Sequence, residues 1–143
     1  MGSCTRPTSS SCGAPRPRPT LYISEQAGWL LIADDWAYHL WHRKDRPKIL
    51  QRLAARWELF ALRRPDVDES YEYAYFVGGR LVRDRRVDSP NFTDRVVTTN
   101  FGQRLPSETD ALYAKDPEEI VWTVAGDVGV PRTHDRSTLR RYG

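Results

Sequence analysis

Three side chains have the types and spacing to hold a divalent metal: Asp35, His39 and His42. At i, i+4 and i+7 they share one face of a helix, and an Asp–His–His face would suit a metal-dependent hydrolase. No other Cys or His lies in the candidate folded part, so a fourth ligand would have to be a distant carboxylate. The simpler alternative puts both histidines on the solvated side of that helix, opposite Trp36 and Leu40.

A second group is the arginine cluster Arg80, Arg83, Arg85 and Arg86, with Arg63 and Arg64 on a neighbouring strand and Tyr71, Tyr73 and Tyr75 between them. Aromatic rings flanked by cations can stack the bases of single-stranded nucleic acid, which would make an RNA-binding accessory protein. The acids Glu72, Asp84, Asp66, Asp68, Glu69 and Asp88 neutralise the cluster, however. Cross-strand ion pairs such as Glu72–Arg85 explain the same residues.

The third reading is a protein contact surface. Tyr and Arg dominate binding hot spots because they combine contact area with a polar handle. Tyr71, Tyr73, Tyr75 and Arg83 would supply contact, and Asp66, Asp68 and Glu69 would meet a basic partner such as a nuclease. On this reading Tyr73→Ala loses the partner but keeps the melting temperature. The alternative is that a helix covers the tyrosines and their hydroxyls reach its edge.

Phosphate-binding glycine loops, the G-x-S-x-G elbow and C-x-x-C pairs do not occur in the sequence. Cys4 and Cys12 fall in a Ser/Pro-rich N-terminal segment, where nothing would lower a thiol pKa. No cofactor is implied, and the reading favours a non-enzymatic protein.

These residues must be positioned by about one domain's worth of chain. The 143 residues, 39% hydrophobic and 29% charged, can bury about two-thirds of their unfolded surface. Nineteen arginines against three lysines point to a GC-rich genome. The net charge of +3 comes from the ends, since residues 1–19 and 131–143 each carry +3 and the middle is −3. A nucleic-acid reader would carry the excess on its folded face. No apolar run is long enough for a membrane span and no secretory h-region is present, which predicts a cytoplasmic protein.

Residues 1–19, rich in Pro and Ser, read as a disordered tail, 20–130 as one domain and 131–143 as a polar basic tail. The apolar run Trp29–Ala33 predicts a strand buried on both sides, after a first strand from Leu21. A helix capped at Asp34–Asp35 should follow, then an apolar stripe of Ile49, Leu50, Leu53 and Trp57 after Pro47. Residues 58–63 alternate as a strand.

Residues 70–87 form the clearest hairpin, with Gly78-Gly79 as a two-residue turn. That turn predicts Tyr75 opposite Val82, Tyr73 opposite Asp84 and Tyr71 opposite Arg86. Another strand is expected at 93–100, a short helix capped by Ser107, and a final helix with Asp116 as N-cap, Pro117 at N1 and Glu119 closing a capping box. Its buried stripe would be Ile120, Val121, Val124 and Val128. The sum is an α+β fold: an antiparallel or mixed sheet of about five strands with two to three helices packed on one face.

The residues Gly78, Gly79, Leu81, Arg83, Gly102, Leu105, Pro106 and Glu108, in a hairpin followed by G-Q-R-L-P-S-E and a capped helix, resemble small α+β proteins of GC-rich bacteria. Some of those are immunity proteins of polymorphic toxins. The resemblance implies a non-enzymatic binder that blocks a cognate toxin by occupying its site. An exposed edge strand would allow either a monomer or a homodimer.

Overall fold

The computed structural model describes residues 21–34, 46–63, 68–132 and 140–142. The fold is α+β, but its strands form two antiparallel sheets instead of one of about five strands. The first sheet has the order β2-β1-β7, from β1 (Leu21–Gln26), β2 (Trp29–Asp34) and β7 (Arg140–Tyr142). Ala27 and Gly28 both take positive φ (50° and 80°) and make the two-residue turn between β1 and β2. Leu30 and Ile32 are exposed in β2, so the apolar run at 29–33 is not buried on both sides as its composition suggested. Residues 140–142, assigned by composition to a tail, return to pair with β1.

The second sheet has the order β3-β4-β5-β6, from β3 (Leu59–Arg63), β4 (Tyr71–Val77), β5 (Arg80–Asp88) and β6 (Val96–Gly102). Helices cover both of its faces. The helix α1 (Arg46–Ala54) places Leu50 and Ala54 against Ala61, Ala74 and Phe76. On the opposite face Tyr71, Tyr73 and Val87 pack with Leu112 of α2 (Asp110–Tyr113) and with Ile120, Val121 and Val124 of α3 (Pro117–Asp127). Packing on one face only is therefore corrected: strands β3 and β4 carry apolar residues at both odd and even positions, and each set finds its own helix.

The helix ends follow local chemistry. Asp116 caps α3 by accepting from the Glu118 amide (2.8 Å), and Pro117 occupies the first turn, where no amide partner is required. At its other end Gly129 (φ 83°) closes a Schellman turn, with Val130 N donating to Ala125 O and Gly129 N to Gly126 O. The cap of α2 is Thr109, which accepts from Leu112 N, and not Ser107. Ser107 instead donates to Asp127 and ties the preceding loop to the end of α3.

The hairpin turn is as expected, with Gly78 and Gly79 at φ 57° and 76° and Val77 opposite Arg80. One step further the register departs. Phe76 faces Leu81, but Tyr75 faces Arg83, so Val82 is an extra residue on β5. A single-residue bulge moves every later side chain to the other face. Tyr73 then faces Arg85, Tyr71 faces Val87, and Glu72 lies opposite Arg86 in place of Arg85.

The bulge also explains Gly102, which has φ 84°: a Cβ there would stand 2.0 Å from the Val82 carbonyl oxygen. Gly28 has a similar φ but open space around it. Gly28→Ala should therefore cost only the backbone strain of about 1–2 kcal/mol. Gly102→Ala should cost clearly more, or prevent folding, in a thermal or urea melt of the two variants side by side.

A buried ion pair and a candidate interaction surface

The bulge delivers Arg83 to the tyrosine face, where it is fully buried with Glu108. Arg83 Nε donates to both carboxylate oxygens (3.0 and 2.9 Å) and Nη2 to Oε1 (2.7 Å). Nη1 donates to the Phe101 carbonyl (2.7 Å). Glu108 also accepts from the Tyr73 hydroxyl, the Tyr113 hydroxyl (2.5 Å) and the Leu105 amide (2.5 Å). The loop G-Q-R-L-P-S-E thus folds back as a turn, with Glu108 N donating to Leu105 O, and aims its last residue into the core.

Burial alone would raise the Glu108 pKa. Hydrogen bonds from Arg83, Tyr113, Tyr73 and the Leu105 amide outweigh that and hold it down at about 2, against an ordinary 4.5. Burial likewise acts to lower the Arg83 pKa, and Glu108 more than reverses it. Tyr73 is pushed well above its usual range, first by burial and then by the carboxylate it bonds. A carboxylate held charged among satisfied donors, with its arginine buried beside it, has no acid or base task at neutral pH. This cluster ties the sheet to the 103–109 loop.

The expected contact residues can now be placed. Tyr71 and Tyr73 lie in the core beneath α3, so the open tyrosine stripe is corrected: the face closes because Ile120, Val121 and Val124 need it. Arg83 is likewise internal, and Arg85 is buried over the Tyr113 ring at 3.8 Å, with Nε donating to the Tyr71 hydroxyl. A base-stacking platform cannot form from these buried groups. Tyr75 is half-buried and donates to Glu58 (2.5 Å); burial, then that carboxylate, raises its pKa to about 12.

Asp68 accepts from the Ser70 amide (2.8 Å), and Glu69 pairs with Arg95, which also donates to the Tyr113 carbonyl. These two acids are committed within the chain. Asp66, Asp35, His39 and His42 lie outside the described residues. Among the described residues no group of three or more His, Cys, Asp or Glu could hold a metal.

The sheet is open elsewhere. On the face that carries α1, the helix covers β3 and β4, and nothing among the described residues covers the β5–β6 half. Register puts Leu81, Asp84, Arg86 and Asp88 of β5 on that face, beside Phe101, Thr99 and Val96 of β6. Phe101 is 53% exposed and Val96 48%. Between them runs a charged row in which Arg86 donates to Asp88 (3.0 Å) and lies 3.8 Å from the buried Glu72, itself 3.9 Å from Arg63.

At the Val96 end of this half-face the β5–β6 loop turns at Ser89–Phe92, and Phe92 is 65% exposed at φ 66°. A bulky residue held in the left-handed region costs on the order of 1 kcal/mol. The sequence reading found neither Phe101 nor Phe92 as contact residues. The only signal for Phe101 is the uncharged run of residues 96–102 that contains it, and Phe92 has none.

Comparison with protein-family models, with curated proteins and with solved structures gave no match for this chain. Among the described residues, no helix is long and apolar enough to cross a membrane.

The buried pair makes two predictions. The folded-state pKa of Glu108 lies below its unfolded value, so its contribution is complete above about pH 4.5 and is lost as pH falls from there to about 2. Glu108→Gln should lower stability at pH 7 by about 3–5 kcal/mol, because Arg83 is left charged and buried, and should flatten the acid limb of stability measured by urea unfolding. Tyr73→Ala should lower the melting temperature markedly, by a loss of about 3–5 kcal/mol, in contrast to the surface role first expected of it.

Proposed function

We propose that this chain is a non-enzymatic protein-binding module, of the kind that neutralises a toxin by direct contact. Its contact surface is the uncovered β5–β6 half-face together with the Phe92 loop. The observation that carries this reading is the exposed row Leu81, Phe101 and Val96 beside Asp84, Arg86 and Asp88, on a sheet whose Tyr71 and Tyr73 are packed under helices. Apolar anchors bordered by charges fit a protein partner, since the anchors supply contact area and the charges select the partner and its orientation. Phe92 supports it further: a strained backbone that presents an aromatic ring to solvent weakens the free protein.

The test is capture of a stoichiometric partner from the native host by the full-length chain, followed by reconstitution with that partner purified. Phe101→Ala should raise Kd about tenfold or more with an unchanged melting temperature. Phe92→Gly should stabilise the free protein by about 1 kcal/mol while also weakening the complex. A toxin partner should lose its activity on binding. Recovery of no protein, or of nucleic acid alone that elutes with salt, would overturn the proposal.

A further inference from the structure

Tyr113 is the point at which four arginines meet. Arg83 Nη2 lies 3.5 Å from its hydroxyl and Arg95 Nη1 donates to its carbonyl (2.9 Å). The guanidinium carbons of Arg85 and Arg104 stand 3.8 and 5.3 Å from its ring centroid. Three of the four have a carboxylate of their own: Glu108 for Arg83, Glu69 for Arg95 and Asp110 for Arg104. Arg85 has none among the described residues, although it is only 7% exposed. Its Nε–H goes to the Tyr71 hydroxyl (3.3 Å), and the Tyr113 ring covers one face of the guanidinium. A ring face attracts a cation but accepts nothing in the plane of the N–H groups. Among the described residues, Ser89 Oγ is the one buried side-chain polar atom without a partner, so the unpartnered Nη atoms of Arg85 are not sealed off. Their N–H groups meet solvent at an opening bordered by Asn100, which pairs with Arg85 across β5 and β6 and is exposed.

We propose that Arg85 anchors a binding site for a small monocarboxylate, with Arg104 as a second, movable cation. Buried charges persist where they are paired, and here the ligand supplies the pair. A planar carboxylate takes two parallel N–H groups from one guanidinium, and the Nη groups are the part of Arg85 left over. The charge count selects the ligand's valence. Four arginines against three acids leave room for one negative charge, and a dianion would overshoot beside the Glu108 carboxylate. Arg104 is held only by an exposed pair with Asp110 (3.0 Å), which restrains it weakly, so it can turn toward a ligand at the same ring. The site lies on the sheet face opposite the proposed partner surface, so either can fail without the other.

The experiment is the thermal melt of the full-length chain in rising sodium acetate, against sodium chloride at equal ionic strength. Acetate should raise the melting temperature to a plateau, and chloride should not. Arg85→Met removes a charge that has no carboxylate of its own, so it should melt no lower than the wild type in chloride and should lose the acetate shift. Arg104→Gln, an exposed change, should keep the fold and weaken acetate about threefold. Inorganic phosphate should bind more weakly than acetate. Acetate that acts as chloride does, or an acetate shift that survives Arg85→Met, overturns the proposal. So does phosphate that binds more tightly, since the site is then one for a phosphate group. Should Arg85→Met not fold, Arg104→Gln decides, and an undiminished acetate affinity overturns the proposal.

Discussion

The fold of the second sheet hangs on one interaction, the buried pair of Arg83 and Glu108. Removing two charges from water is expensive, and the Coulombic attraction offsets that only where the remaining donors and acceptors are also satisfied. Here Glu108 accepts from Arg83, two tyrosine hydroxyls and a backbone amide, and Arg83 donates its remaining N–H groups towards the Phe101 and Gly102 carbonyls. The pair therefore links β4, β5, β6 and the 103–109 loop at one point. Its presence on the tyrosine face depends on the extra residue Val82, and Val82 in turn requires a glycine at position 102.

That arrangement decides which surface is left for function. With Arg83 and Arg85 turned inward, the tyrosine face closes under α2 and α3. Asp84, Arg86 and Asp88 are turned outward by the same shift, onto the half-face that α1 is too short and too far over to cover. An open sheet face was expected, and one exists, but on the opposite side of the sheet and with different residues.

The residues behind the resemblance to small α+β proteins of GC-rich bacteria also acquire a physical reason. Gly78 and Gly79 supply the turn, Arg83 and Glu108 the buried pair, Gly102 the close approach to the bulge, and Leu105 and Pro106 the loop that returns Glu108 to the core. These residues serve stability; Leu81 is exposed. Of the proposed contacts, Leu81 belongs to this pattern, while Phe92, Val96 and Phe101 lie outside it.

The sequence alone determined what local chemistry can determine. It placed the Gly78-Gly79 turn, the Asp116–Pro117 helix start and the strands around the hairpin, because φ preference, capping and alternation act within a few residues. It could not show the bulge at Val82, since no residue there departs from strand composition, and the cause lies in Gly102, twenty positions away. Beyond that point every facing pair of the hairpin lies one residue out of step with a regular two-residue turn, and nothing local pairs Glu108 with Arg83. Tertiary structure alone brought Arg83 to Glu108, set helices on both faces and put β6 at the edge of the sheet. Which face of a strand is buried is settled by what packs upon it, and in a period-two element one inserted residue reverses the answer.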